Sequence, residues 1–180
     1  MTYKYFIASQ SCIMIAGSMV FPFYILLLRS VGDSFSQFGW AYGLFALTAA
    51  LVYPIAGKLA DRIGDQKLLV LYAWGMAALM LCFPIATEVW HVYSLQILMG
   101  CLSTLQRNTE KTVLVRQLSR ENAGYTVGRY HVWTSIAGAI AVIVTGYLID
   151  FLTIGAIFYF ASLIYAVSAI LLNKKRMINI

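Results

Sequence analysis

Six long apolar runs, separated by short polar turns, constrain this chain more than any other feature. They cover about 5–28, 38–56, 68–86, 92–115, 131–149 and 153–172. A helix needs about 20 residues to cross the hydrocarbon of a bilayer, and a barrel strand about 10. The runs have helical length and do not alternate, so barrel strands are excluded. Composition agrees: of 180 residues 61% are hydrophobic and 11% charged, against about a quarter charged in soluble domains. The expectation is an all-α membrane protein, one domain over 1–180, with six transmembrane helices.

The net charge of +6 is read from where the charges fall, which excludes nucleic acid as the natural partner and leaves the lipid bilayer. With both termini on one side, that side holds Lys4, Lys58, Arg62, Lys67, Arg107, Lys111, Arg116, Arg120, Arg129, Lys174, Lys175 and Arg176; the other holds Arg29 alone. Loops rich in Lys and Arg stay in the cytoplasm, so both termini are expected there, in a multi-pass protein of the bacterial inner membrane. The first run is too long, and lacks the small-residue cleavage pattern, for a removed signal peptide. Met1 and the basic tail are expected to bound a complete chain. Cys12, Cys82 and Cys101 lie in apolar runs without CxxC spacing and read as buried free thiols. His91 and His131 have no ligand or nucleophile partner at a known spacing, and no HExxH, GxSxG or phosphate-binding glycine loop occurs. No enzyme, metal or cofactor is expected.

The turn between the second and third runs reads Gly57-Lys58-Leu59-Ala60-Asp61-Arg62-Ile63-Gly64-Asp65-Gln66-Lys67. It resembles the cytoplasmic loop signature of the major facilitator superfamily, G-x-L-x-D-R-x-G followed by basic residues, and stands at the expected place in a six-span chain. The resemblance implies one half of that family's fold, a half-size transporter. A single half lacks part of the wall of a central path, so a parallel two-fold homodimer working by alternating access is expected; a separately encoded six-span half fits equally well. Asp61 would then cap the partner's fifth helix near Tyr125–Gly128.

Two departures stand out. Asp65 occupies a position that is basic in the family, while the cytoplasmic half of the fourth span carries Arg107 and Lys111; a charge swap is expected, Asp65 answering one of these two. The fifth span has Ala141 and Val142 where many exporters carry Gly-Pro, which weakens an antiporter assignment.

The resemblance also implies that the first and fourth spans line the path. On the fourth, Gln96, Gly100, Ser103, Arg107, Glu110 and Lys111 fall within about 60° of one line at 100° per residue. A polar stripe in a membrane faces protein or water. Gln96 and Ser103 are expected at mid-depth, with Arg107, Glu110 and Lys111 nearer the cytoplasmic mouth. These three also fit a plain i, i+3, i+4 ion cluster that opposes protonation of Glu110. On the first span Gln10, Met14, Gly17, Phe21 and Tyr24 share a face, which suits a hydrophobic or amphipathic small molecule, or simple packing. Pro22 and Pro54 are expected to bend their helices. Small residues on the second span (Gly39, Gly43, Ala46, Ala50) and the fifth (Ser135, Gly138, Val142, Gly146) are expected at the interface between copies, with packing inside one chain as the alternative. A non-transporting remnant or scaffold for another membrane protein is the rival reading of the whole.

Overall fold

A computed structural model describes residues 3–32, 34–117 and 123–173. The polar segment around Arg120 and the basic tail with Lys174, Lys175 and Arg176 lie outside these residues. Among the described residues every element is helical. In chain order they are α1 (Tyr3–Val20), a 3-10 turn (Phe21–Phe23), α2 (Tyr24–Val31), α3 (Phe35–Ile63), α4 (Asp65–Cys82), a second 3-10 turn (Phe83–Ile85), α5 (Val89–Gln117), α6 (Ala123–Ile149) and α7 (Ile154–Asn173).

Each break has a chemical cause. Pro22 and Pro84 lack an amide hydrogen, and both sit in the 3-10 turns. The turn at Pro22 joins α1 to α2, and the other ends α4. Pro54, by contrast, lies inside an uninterrupted α3. That helix starts on a capping box: the Ser34 hydroxyl accepts from the Gln37 amide at 3.4 Å, and the Gln37 side chain accepts from the Ser34 amide at 3.4 Å.

The charged turn expected over 57–69 is mostly helix. Lys58, Leu59, Ala60 and Arg62 favour helix, so α3 runs on to Ile63. The chain turns at one residue, Gly64, with φ 89° and ψ 148°, a conformation open almost only to glycine. Its amide donates to the Ala60 carbonyl at 3.0 Å, and its carbonyl accepts from Leu68 at 3.3 Å, so one residue closes one helix and opens the next. Likewise Tyr125–Arg129, expected in a loop, belong to the first turns of α6. Continued helix keeps their backbone groups paired at a membrane edge.

Five segments are long and apolar enough to cross a membrane by length and composition: Lys4–Arg29, Phe35–Ile63, Asp65–Ile85, Gly124–Ile149 and Ile154–Asn173. The 29-residue α5 is not among them, because its second half is polar from Ser103 to Lys111.

The helices pack in the order α3, α5, α4, α7, α1, α6. Polar side chains and close glycines mark the seams. Thr104 of α5 donates to the Ala49 carbonyl of α3 at 3.0 Å; Ser162 of α7 donates to the Ala77 carbonyl of α4 at 2.7 Å; Ser9 of α1 and Ser168 of α7 share a bond of 2.7 Å. Gly100 lets α5 approach α3 so closely that an added Cβ would lie 2.6 Å from the Phe45 carbonyl. The main core, between α1, α2, α4, α5 and α7, is built around Tyr24, Tyr72, Phe83, Phe158 and Tyr165. α3 and α6 stand at the two ends of the order and leave long apolar faces uncovered.

Candidate functional site

One end of the bundle gathers the start of α1, the α3–α4 corner, the end of α5, the start of α6 and the end of α7. A small core of Phe6, Leu69, Val113, Leu114, Tyr130 and Leu172 fills it. Directly beside this core lies a polar network across α1, α5 and α6. The Gln106 amide Nε2 donates to the Gln10 Oε1 of α1 and to the Glu110 Oε2 one turn along α5, each at 2.8 Å. The Tyr130 hydroxyl of α6 donates to Glu110 Oε1 at 2.5 Å. The Tyr130 ring lies 5.8 Å from that of Phe6.

The polarity of this chain of bonds follows from Glu110. A carboxylate only accepts, so Gln106 turns its NH2 toward it. The same NH2 reaches Gln10, which must present its oxygen. The Gln10 nitrogen is left buried without a hydrogen-bond partner, in a residue only 2% exposed. Bonds to a charged acceptor are worth about 1.5–3 kcal/mol each, so this network holds three helices in register near this end of the bundle.

Arg107 and Lys111 do not join it. Both side chains are exposed, and among the described residues neither comes within ion-pair range of Glu110. The expected three-charge cluster is therefore replaced by a carboxylate held by neutral donors. The reason is angular: Tyr130 and Gln10 occupy the side of α5 that Glu110 faces, leaving the two cations turned to the surface.

The charge swap takes a different partner as well. Asp65, at the first position of α4, meets Arg116 at 2.7 Å. Since α5 stays helical to Gln117, Arg116 is level with the α4 N-terminus, while Lys111 and Arg107 lie about one and a half and two and a half turns deeper.

The remaining path candidates divide. Gln96 is 1% exposed and its oxygen has no partner; it faces the core, not an open path. Tyr24 is also buried, packed near the Phe38 and Phe83 rings. Ser103 is half-buried. Phe21 and Met14 are exposed, at 66% and 39%, and Phe21 meets Tyr42 of α3 at 6.1 Å. Gln106, Tyr130 and Tyr42, and Arg116 as the partner of Asp65, escaped the sequence reading. Gln106 alone carried a local signal, its i, i+4 relation to Glu110.

In the loop signature, Asp61, Arg62 and Lys67 are exposed, and Gly57 is half-buried with nothing within 4 Å of an added Cβ. On α3, Gly39, Gly43, Ala46 and Ala50 are all exposed. On α6 only Ser135 is; Gly138 is buried against Ser18 and Met14 of α1, and Val142 and Gly146 are half-buried. Cys12 and Cys101 are half-buried, and Cys82, expected inside, is exposed at the end of α4. No group of three His, Cys, Asp or Glu side chains suited to a metal occurs among the described residues.

Residues 6–176 match the family model described as Major Facilitator Superfamily. The chain belongs to this family. Among its relatives in that superfamily is the "uncharacterized MFS-type transporter YitZ" of Bacillus subtilis (strain 168), 40% identical over 88% of this chain and 97% of the relative. The "multidrug resistance protein MdtG" of Erwinia billingiae (strain Eb661) is 31% identical over 68% of this chain and 31% of its own length. The "multi-drug resistance efflux pump PmrA homolog" of Lactococcus lactis subsp. lactis (strain IL1403) is 31% identical over 68% of this chain and 32% of its own. The chain thus spans about a third of these multidrug relatives and nearly all of the first. The family and the long apolar helices make it an integral, multi-pass membrane protein of a transporter family.

Proposed function

We propose that the chain is a half-size facilitator-family transporter of six spans, with both termini in the cytoplasm of a bacterial inner membrane. It acts as a parallel homodimer by alternating access and moves a small hydrophobic or amphipathic molecule. The observation that carries this reading is the packing order. α3 and α6 end the order with uncovered apolar faces, and α1 and α5, which bear the polar network, lie between them. A second copy related by a two-fold axis along the membrane normal would cover both faces at once and enclose the α1 and α5 surfaces. The near-complete overlap with a relative of similar size supports a half-size unit. The names of the multidrug relatives, with exposed Met14 and Phe21, support the substrate class. The one-sided distribution of Lys and Arg supports the orientation and favours α5 as the sixth span.

The test combines mass and flux. Native mass spectrometry from nanodiscs should give a dimer. Everted vesicles containing the protein should move ethidium, a lipophilic cation, faster than vesicles without it. A monomer overturns the homodimer and turns attention to another six-span partner or a scaffold role. A dimer that moves neither ethidium nor an uncharged amphipathic dye overturns the substrate class.

A further inference from the structure

Arg107 is a cation on the open front of α5, set inside the bundle's first charges and without a countercharge. Leu102 of α5 packs on α4 at Gly75, and Arg116 meets Asp65 of the same helix. At 100° per residue Arg107 and Lys111 lie about 140–180° round α5 from both. Gln106 and Glu110 turn to α1 and α6, and both cations are left exposed. The depth follows from Gly100, where an added Cβ would meet Phe45, Thr48 and Ala49 together, which sets Gly100 level with Thr48. The two helices run the same way, so Arg107 is level with Ile55, about one turn inside Lys58. A side chain on a helix leans toward the N-terminus, which for α5 is at the far end of the bundle. Arg107 therefore leans inward, over the half-buried Ser103 one turn away, whose hydroxyl makes no hydrogen bond among the described residues.

No carboxylate answers this cation. Of the seven acidic residues in the sequence, Glu88 and Asp150 belong to the opposite end, and Asp33 and Glu121 lie outside the described residues, in the sequence between helices. Asp65 has Arg116, and Asp61 is about 9 Å nearer the end of α3 than the level of Arg107. Glu110 alone shares the depth, and its two oxygens already accept from Gln106 and Tyr130. A second copy brings the same set: another Arg107, another Lys111 and no free carboxylate. A cleft lined by one sign of charge concentrates the opposite sign.

Resting on the transporter reading above, we infer that Arg107 and Ser103 seat an anionic group, the carboxylate, phosphate or sulfonate of an amphipathic molecule, at the inner mouth of the path. The guanidinium donates two parallel hydrogen bonds to such a group, the Ser103 hydroxyl donates a third, and Lys111 adds charge one turn toward the exit. Within the proposed substrate class this ranks an anion above its neutral counterpart and a cation last.

The test uses two dyes that differ by one group, 1-anilinonaphthalene-8-sulfonate and N-phenyl-1-naphthylamine, the second lacking the sulfonate. In phosphatidylcholine nanodiscs the full chain should bind the sulfonate saturably, above empty nanodiscs and at least about tenfold tighter than the neutral dye. Arg107→Gln should abolish that preference and leave binding of the neutral dye where it was, and Arg107→Lys should keep part of it. An Arg107 that only held the fold would weaken both dyes together. Adding phosphatidylglycerol tells the two sources of such an anion apart: a seat for lipid headgroups loses the sulfonate by competition, and a seat for the transported molecule keeps it. In everted vesicles Arg107→Gln should leave ethidium flux unchanged or raise it. Equal binding of the two dyes, or a preference that survives Arg107→Gln, overturns the anion seat and leaves the transporter standing. A preference that depends on Arg107, in a protein that moves no dye, overturns the transporter and leaves the anion seat.

Discussion

The Arg116 guanidinium donates to the Asp65 carboxylate at 2.7 Å, joining the last turn of α5 to the first of α4. Asp65 also faces the positive end of α4, where an anion is favoured. Its neighbour Gln66 donates to the Leu172 carbonyl of α7 at 2.6 Å, so the corner after Gly64 is fastened on two sides. Since the Arg116 side chain is 59% exposed, the pair is worth less than about 1 kcal/mol. Asp65→Arg and Arg116→Asp should each lower the melting temperature by a few degrees, and the two together should recover most of the loss. Asp65→Asn and Lys111→Met should act additively. Thermal unfolding in detergent, read by circular dichroism, checks both.

Gly64 is under backbone constraint alone. An added Cβ meets nothing within 4 Å, and φ is 89° with ψ 148°. Gly64→Ala should cost about 1–3 kcal/mol. Asparagine eases the left-handed helical region, where ψ is near 47°, but not this one. Gly64→Asn should therefore be no better than Gly64→Ala, which the same melts will decide.

Gly100 and Gly43 make a matched contrast. An added Cβ at Gly100 lies 2.6 Å from backbone oxygen, and at Gly43 it meets nothing. Gly100→Ala should destabilise by about 1–3 kcal/mol through overpacking and push α5 from α3. Gly43→Ala should raise the stability of the single chain in detergent by about 0.5–1 kcal/mol, because alanine has less backbone entropy to lose on folding and meets nothing here. An equal loss at both would show that the loss at Gly100 does not come from the close approach of α5 to α3.

What was legible in the sequence follows the range of the forces involved. Apolar runs of bilayer length announced the helices, because burial in lipid is decided locally. Their ends were less legible: Gly57 and Gly64 look alike on paper, and only the second takes the positive φ that turns the chain. The stripe on α5 pointed to Glu110 by its angle. Its partners did not show, because a helix relates residues three and four apart, while Tyr130 and Gln10 arrive from other helices. The swapped sign at Asp65 was visible as a departure from the family pattern, but choosing Arg116 over Lys111 required knowing that α5 stays helical to its last turn. On α6 the small residues were conspicuous, yet Gly138 went to packing against α1, and the exposed face consists of the bulky residues between them.

The Gln10–Gln106–Glu110–Tyr130 network yields the last prediction, because its members are unequally committed. Tyr130→Phe removes one donor and leaves Glu110 the other, so the cost should be about 1–2 kcal/mol. Glu110→Leu deprives two buried donors, on Tyr130 and Gln106, of their acceptor and should cost more, about 2–4 kcal/mol. Combined with Tyr130→Phe it should cost less than the sum, because one of the orphaned donors is then gone. Glu110→Gln keeps an acceptor oxygen but offers an NH2 as well. It can satisfy Tyr130 or Gln106 but not both without turning an NH2 on a donor, so it should fall between the other two. Gln10→Met should be the mildest, since it frees one hydrogen of Gln106 and removes a nitrogen that has no partner. Melting of the five variants in one detergent checks this order. If Gln10→Met proved the costliest, the network would be organised around α1 and not around the carboxylate of Glu110.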